Sequence, residues 1–492
     1  MSAGQITQRP ASWLVPAGLR LYPCRCTELP SGHADGGSRS MAGLFGTDGV
    51  RARINTGPMT AESIVRLALA SGRWFIDSNP DRKGRPMVVI GKDTRVSGYM
   101  VEAALVAGFT SIGMDCRLLG PMPTAGVSYL TQSLRADIGV MISASHNPFH
   151  DNGIKLFGPD GAKLADAVES GISDLAAGSI ALSQPTELGR ASRMLDSVGR
   201  YVEFAKSTLD AQIRFDGIKV VVDCANGAAY RTAPDVLNDL GGEVIAVATN
   251  PDGFNINEGC GAVHPQVMAA AVVAHGADMG IALDGDADRL IIADETGAIL
   301  DGDQLLACLA GAMLDEGTLA GGGVVGTVMT NGGIEDYLSG KGLALHRAAV
   351  GDRYVTEKMR AGGMNLGGES SGHILMTSLC PTGDGLIAAL QMLNILSRAT
   401  RPASEVFTKF TPKSQRLENL RDMDKAVFDL PDVAAGLADI EADMGNNGRI
   451  LVRPSGTEPL VRVMVEADTD RLLQQKMDEI ILLLQTSAEK IK

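Results

Sequence analysis

The sequence has little that would tie it to nucleic acid, to a membrane or to an oxidising compartment. Its formal net charge is -14, so no broad basic surface is expected for nucleic acid or an anionic lipid face. An anionic ligand would need a local basic pocket working against that field. The seven cysteines are scattered and none forms a CxxC pair. That count argues against a disulfide framework and for a reducing, cytoplasmic compartment. Cys24-Arg25-Cys26 is a lone CxC without further ligands around it. No run approaches the ~18 apolar residues of a membrane span. There is no GxGxxG and no GxxxxGK[ST], which removes the main support for a dinucleotide or ATP site. A GxSxG elbow is absent as well, so acyl transfer is unsupported.

What remains is ordinary for a globular chain, with 45% hydrophobic and 21% charged residues. The length of 492 residues suggests three or four domains. Residues 1–40 mix Pro, Gly, Ser and Arg with little periodicity and lack the apolar core of a secretory signal. They read as a disordered or non-native extension ahead of Met41. From Met41 the pattern alternates strand and helix. Pro86–Gly91, Asp137–Ile142, Ile218–Asp223, Met279–Leu283 and Gly323–Thr327 are apolar strand runs, and Met100–Ile112 reads as a helix. Val/Ile runs of this kind point to parallel sheets covered on both faces. The C-terminal part differs. Arg449–Val452 and Val461–Val465 read as strands followed by a helix from about Asp470 to Gln485, a small and more antiparallel α+β unit.

Five segments could carry chemistry. Ser143-Ala144-Ser145-His146-Asn147-Pro148 directly follows a strand, and Asn-Pro marks a turn. A serine there can attack phosphorus or carry a phosphate, or simply cap a turn. Asp284-Gly285-Asp286-Ala287-Asp288-Arg289 sets three carboxylates at spacing two. It is not an EF-hand loop, because Arg289 stands where that loop needs glycine and an apolar strand follows. Each carboxylate pair repels by ~1–4 kcal/mol at about 4 Å. A bound cation resolves that repulsion, and Mg2+ suits three carboxylates that leave room for a phosphate oxygen.

Arg453-Pro454-Ser455-Gly456-Thr457-Glu458-Pro459, with Arg462 beyond, offers hydroxyls, a close backbone and guanidinium forks for a phosphate, or is a decorated hairpin. Gly367-Gly368-Glu369-Ser370-Ser371-Gly372-His373 offers acceptors for sugar hydroxyls, or is a glycine turn. Phe45–Arg51, with Gly91-Lys92-Asp93-Thr94-Arg95, completes the set.

Together, in this order, these segments resemble the α-D-phosphohexomutase superfamily over nearly the whole chain from Met41. The resemblance implies a four-domain α/β architecture: three related α/β domains at 41–197, 198–299 and 300–412, and a TATA-binding-protein-like α+β domain at 413–492. It implies a phosphoserine at Ser145, a Mg2+ site formed by Asp284, Asp286, Asp288 and the Ser145 phosphate, and Arg289 balancing the charge. It implies Arg51 near the phosphoserine and Lys155 or His146 as general acid/base. Glu369 and Ser371 would bind sugar hydroxyls, and Arg353 in Val350–Tyr354 would contact the substrate. Arg453, Ser455, Gly456, Thr457 and Arg462 would hold the distal phosphate.

The opening AGLFGTDGVR, Asn255–Gly261 and the VGDRYV loop are similar to the bacterial amino-sugar branch. That branch interconverts glucosamine 6- and 1-phosphates through a 1,6-bisphosphate and feeds cell-wall precursor synthesis. A sister activity on glucose or mannose phosphates is the nearest alternative, and a metal-dependent phosphomonoesterase a further one. A small phosphosugar is the expected ligand, with no nucleic acid and no membrane, and many relatives are homodimers. Two positions depart from the family. Ala287 stands where glycine is usual, which is tolerated unless the backbone there needs φ > 0. Ser370 stands where the amino-sugar branch has glutamine, inside the loop that senses the sugar.

Overall fold

The computed structural model describes residues 44–46, 49–421, 423–454 and 460–489. The expected extension at 1–40 lies outside the described residues. Four sheets follow one another along the chain.

The first contains β1 (Val50–Arg53), β2 (Met87–Lys92), β3 (Asp115–Pro121), β4 (Ile138–Ile142), β5 (Asp151–Phe157) and β6 (Ala191–Arg193) in the order β1-β5-β4-β2-β3-β6. The second contains β7 (Lys219–Asp223), β8 (Glu243–Val247), β9 (Met279–Leu283), β10 (Leu290–Asp294) and β11 (Ile299–Leu300) in the order β11-β10-β9-β7-β8. The third is β12 (Gly323–Thr327), β13 (Ala344–Ala348), β14 (Leu366–Gly368) and β15 (Ile374–Met376), ordered β13-β12-β14-β15. The fourth is β16 (Ser414–Arg421), β17 (Gly448–Pro454) and β18 (Leu460–Ala467), antiparallel throughout and ordered β16-β18-β17.

The apolar runs behave as their composition dictates. Every residue of β4, β9, β10 and β12 is buried, because helices cover both faces of these sheets. The sheets are mixed, however, and not wholly parallel as the Val/Ile runs suggested. β2, β3, β4 and β6 are parallel neighbours, but β5 returns antiparallel to β4. β10 returns antiparallel to β9 in the same way, and β15 to β14. The connections are residues 143–150, 284–289 and 369–373. They are too short for a crossover of a dozen residues, so the chain can only fold back beside the strand it left. The serine loop, the acidic loop and the glycine loop are these three returns. Each follows a strand that is parallel to another neighbour, and so occupies one topological position in its sheet.

Buried side chains join the first three units. One contiguous apolar cluster runs from Val89 and Met122 through Val222 and Leu283 to Leu386 and Phe407. The fourth unit has its own core, in which Val461, Val463 and Val465 meet Met477, Ile480 and Leu484 of the helix Asp470–Glu489. It docks on the third unit through Arg449. That guanidinium donates to the carbonyls of Val328 (2.7 Å) and Thr330 (2.6 Å), and Glu466 accepts from the Gly332 N–H at 3.0 Å. No helix among the described residues is long and apolar enough to cross a membrane.

Candidate active site

The serine loop is a strained turn. Ser145 has φ 50, a left-handed conformation uncommon for a residue with a Cβ. Its N–H donates to Ser143 Oγ at 2.8 Å, which helps hold the turn. Its hydroxyl donates to Asp284 Oδ2 at 2.5 Å, joining the first unit's loop to the second's. His146 Nδ1 lies 3.2 Å from the same hydroxyl. Burial, then the positive charges of Arg289 and Arg51, lower the His146 pKa to about 4, so its imidazole is neutral near pH 7 and can accept a proton. Arg51, on β1, pairs with Gly153 of β5 and thereby lies within electrostatic reach of the serine loop.

The acidic loop gathers its carboxylates. One oxygen from each of Asp284, Asp286 and Asp288 lies within 4.8 Å of the others, and all three residues are buried. Cations and donors surround them. Lys155 Nζ is 3.0 Å from Asp286 Oδ2 and 2.8 Å from Asp288 Oδ2. Thr124 Oγ1 donates to Asp286 Oδ2 at 2.7 Å, and the N–H groups of Asp288 and Arg289 donate to Asp284 Oδ1 at 3.1 and 3.2 Å.

Burial, then repulsion from Asp288 and Asp286, pushes the Asp284 pKa up to about 7. Burial works the same way on Asp288, but Lys155 and His373 outweigh it and hold that carboxyl well below the usual range. Asp286 Oδ1 and Asp288 Oδ1 are buried without a hydrogen-bond partner. Orphaned buried oxygens are costly, and an all-oxygen donor set suits a hard divalent ion, so the residues present fit such a cation. Gly285 is required for the approach of the two loops, since a Cβ there would sit 2.6 Å from the Ser145 carbonyl oxygen. Ala287 has φ 60, so the position with alanine in place of the family's glycine does take the left-handed conformation.

The glycine loop is stitched to the acidic loop by the Leu290 N–H, which donates to the Gly372 carbonyl at 2.9 Å. Glu369 Oε1 accepts from the Gly351 N–H at 2.8 Å, bringing the glycine loop against the Val350–Tyr354 loop. Ser371 Oγ is buried and without a hydrogen-bond partner. Arg353, expected as a substrate contact, is held by acids of the first unit. Its guanidinium, at the start of the helix Asp352–Gly362, ion-pairs with Asp166 and with Glu169 (2.6 Å) on the helix Asp166–Ala177.

In the fourth unit Arg453 and Arg462 are directly paired across β17 and β18. Two guanidinium groups that start from facing positions could bind one anion through both forks. Ser455, Gly456 and Thr457 fall outside the described residues.

Two residues at the site had no assigned role in the sequence. His373 lies between units, with Nδ1 3.6 Å from Asp288 Oδ1 and Nε2 3.4 Å from Asp352 Oδ2. Its place at the end of the glycine loop was the available signal. Thr124 starts the helix Thr124–Ser133, and both its N–H (3.0 Å) and its hydroxyl bind Asp286. Nothing local in sequence marks it.

Four family models match the chain in order. Phosphoglucomutase/phosphomannomutase alpha/beta/alpha domain I matches residues 42–180, domain II 199–297, domain III 301–413 and the C-terminal domain 415–483. The chain is 56% identical over 446 residues to the phosphoglucosamine mutase of Paracoccus denitrificans, covering 90% of this chain and 99% of that one. It is 53% identical over 448 residues to the phosphoglucosamine mutase of Granulibacter bethesdensis, covering 91% and 97%. A solved phosphoglucomutase/phosphomannomutase family protein of Burkholderia thailandensis superposes with a TM-score of 0.76 at 24% identity, covering 90% of this chain and 97% of that one. The Aspergillus fumigatus N-acetylphosphoglucosamine mutase, solved with GlcNAc-6P and magnesium, gives 0.59 at 19% identity, covering 91% and 95%. The two solved structures share the fold, the two curated relatives share more than half of their residues, and on those grounds this chain belongs to the phosphoglucomutase/phosphomannomutase family.

Proposed function

We propose that the chain is an isomerase that interconverts glucosamine 6-phosphate and glucosamine 1-phosphate through a phosphate carried on Ser145. The observation that carries this reading is the seat of Ser145: a left-handed turn whose hydroxyl bonds Asp284, the first acid of a buried three-carboxylate cluster. The amino sugar is supported by curated relatives at 52–56% identity that are named phosphoglucosamine mutase. On this reading the units 41–197, 198–299, 300–412 and 413–492 contribute the serine, the acidic, the sugar and the phosphate loops in turn. A sugar 1-phosphate is the substrate class of nucleotidyl transferases, so the enzyme would work in the cytoplasm beside cell-wall precursor synthesis, soluble and pairing with itself as many relatives do.

Asp284, Asp286 and Asp288 would hold Mg2+, which when bound supplies positive charge against the oxygens of the transferring phosphoryl group. The chain's own residues do the rest. The phosphoryl group passes from Ser145 Oγ to O1 of the sugar: the bond from phosphorus to Oγ breaks as the bond to O1 forms. The O1 proton is taken up and one is returned to Oγ, leaving the enzyme balanced. His146, 3.2 Å from Oγ, or Lys155, beside Asp286 and Asp288, would carry that exchange, which typically contributes ~10²–10⁴-fold. Lys155 and Arg289 offset the carboxylate charge beside the reacting phosphorus. The glucosamine 1,6-bisphosphate then turns in the cleft, and Oγ takes back the phosphoryl group from O6. Arg453 and Arg462, with Ser455, Gly456 and Thr457, hold whichever phosphate is not reacting. Glu369 and Ser371 accept from sugar hydroxyls, and Arg353 anchors the neighbouring loop through Asp166 and Glu169.

The test is a substrate panel. The phosphorylated protein is incubated with Mg2+ and glucosamine, glucose or mannose 6-phosphate, and 1-phosphate formation and free phosphate are followed together. Glucosamine ahead without phosphate release is expected. Glucose or mannose ahead replaces the sugar, and steady phosphate release without isomerisation overturns the mutase reading.

A further inference from the structure

Two motifs of the sequence take no part in the chemistry above: Gly91–Arg95, and Asn255–Gly261. Both converge on the backbone of the serine turn. We propose that Arg95 and Asn257 are positioning residues that fix the direction of the Ser145 hydroxyl by clamping the carbonyl oxygens of Ser145 and Asn147. The inference rests on Ser145 being the phosphoryl carrier.

Arg95 and Asn257 come from different units, and each reaches both carbonyls. Arg95 Nη2 donates to the Ser145 carbonyl at 3.1 Å and to the Asn147 carbonyl. Asn257 Nδ2 donates to the same two oxygens, at 2.9 and 3.2 Å.

Each clamp is itself held. Arg95 Nη1 ion-pairs with Asp93, with both side chains fully buried, and the Arg95 N–H donates to Asp93 Oδ1 at 2.9 Å. Ser143 supports the turn from the other side, since its Oγ accepts from the Ser145 N–H at 2.8 Å. The N–H of Ser145 is thus held by Ser143 and its carbonyl by Arg95, which Asp93 fixes. Asn257 has φ 58, and its N–H donates to the Ala225 carbonyl at 2.9 Å, fixing it to the end of β7. Gly285 of the acidic loop packs on the same point, since a Cβ there would lie 2.6 Å from the Ser145 carbonyl oxygen and 2.9 Å from Asn257 Nδ2.

The function follows from what is and is not touched. A left-handed serine relaxes out of that conformation unless its surroundings over-determine it. None of the four clamping bonds uses Oγ, so they persist whether or not Oγ carries a phosphate. They set where Oγ points relative to Asp284 through a full catalytic cycle. Small errors of aim at a reacting atom are costly in rate.

Asn257→Gly removes both amide donors while keeping the positive φ free of strain. Wild type and variant are phosphorylated with a hexose 1,6-bisphosphate, and the phosphate is located by mass spectrometry. Single-turnover transfer to glucosamine 6-phosphate is then timed. The expected result is a fall in transfer rate of about tenfold or more with KM changed less than about twofold. The phosphoserine 31P resonance should shift and broaden at unchanged fold. Arg95→Lys, which keeps the charge but has one nitrogen where Arg95 uses Nη1 for Asp93 and Nη2 for the two carbonyls, should fall in the same direction, and it stands in if Asn257→Gly is poorly folded. Phosphorylated, folded variants that transfer at the wild-type rate overturn the clamp alone. A wild type that carries no phosphate on Ser145 overturns the underlying reading, and the inference with it.

Discussion

The Ser145 hydroxyl lies 2.5 Å from Asp284 Oδ2, so a residue of the first unit and one of the second meet directly across two sheets. Ser145→Ala would delete the proposed phosphoryl carrier while removing only one oxygen from a buried site. Turnover between the hexosamine phosphates should fall at least about a thousandfold with the circular dichroism spectrum unchanged. Wild-type turnover in that variant would remove Ser145 from the chemistry.

Asp286 and Asp288 each have a buried oxygen without a hydrogen-bond partner. A cation that binds them in the native state alone must raise stability by mass action, about 2.7 kcal/mol at a hundredfold excess over Kd. Mg2+ should therefore raise the Tm of the wild type, and EDTA should reverse the rise. In Asp286→Asn the Mg2+-dependent rise should shrink or vanish. Equal rises in both proteins would place the ion elsewhere.

Ala287 shows why a non-glycine residue survives at φ 60. The left-handed backbone costs about 1–2 kcal/mol, but alanine recovers roughly 0.5–1 kcal/mol of unfolded-state entropy relative to glycine and about 0.8 kcal/mol from its buried methyl. Ala287→Gly should thus change stability by less than about 1 kcal/mol in urea titration. Ala287→Val, β-branched at the same φ, should cost more than about 2 kcal/mol.

Asp303 starts the helix Gly302–Asp315 and accepts from the Asn331 N–H at 2.9 Å. Burial, then repulsion from Asp301, pushes its pKa up to about 7 from an ordinary 3.8. Between those values the native state holds a proton that the unfolded chain releases. The stabilisation is therefore complete at low pH and is lost as pH rises through about 7. Asp303→Asn removes this titration, so its Tm relative to wild type should climb between pH 5 and pH 8. A constant difference across that range would show that Asp303 does not titrate there.

Arg453 and Arg462 face each other across β17 and β18. Arg453→Ala should raise KM for the phosphosugar roughly ten- to a hundredfold, as expected for a lost charged hydrogen bond. It should leave Tm nearly unchanged, because Arg453 is only partly buried at the end of its strand. An unchanged KM would take the distal phosphate away from this loop.

The sequence was most readable where a short segment carries its own logic. The apolar runs that became β4, β9 and β12 were visible, as were the loops that follow the first two. The direction of the next strand was not, because it depends on loop length against crossover length and not on the strand's composition. The acids beside Arg353 were hidden for a related reason: Asp166 and Glu169 lie far away along the chain, and only the fold brings them to its guanidinium. The left-handed φ of Ala287 was posed as a condition and met by the turn that aims the carboxylates inward. Asn257 and Arg95 sat in motifs with no readable duty, since their partners are backbone carbonyls and carry no residue identity.

The division of buried surface has a further consequence for how the molecule comes apart. One apolar cluster passes through the first three sheets, while the fourth packs on a core of its own. The two arginines of β17 and β18 therefore draw on a different body of packing from the serine, acidic and glycine loops. On heating, the fourth unit and the loops of the first three need not loosen together, so the proposed phosphate cradle can be lost at a different temperature from the proposed serine centre.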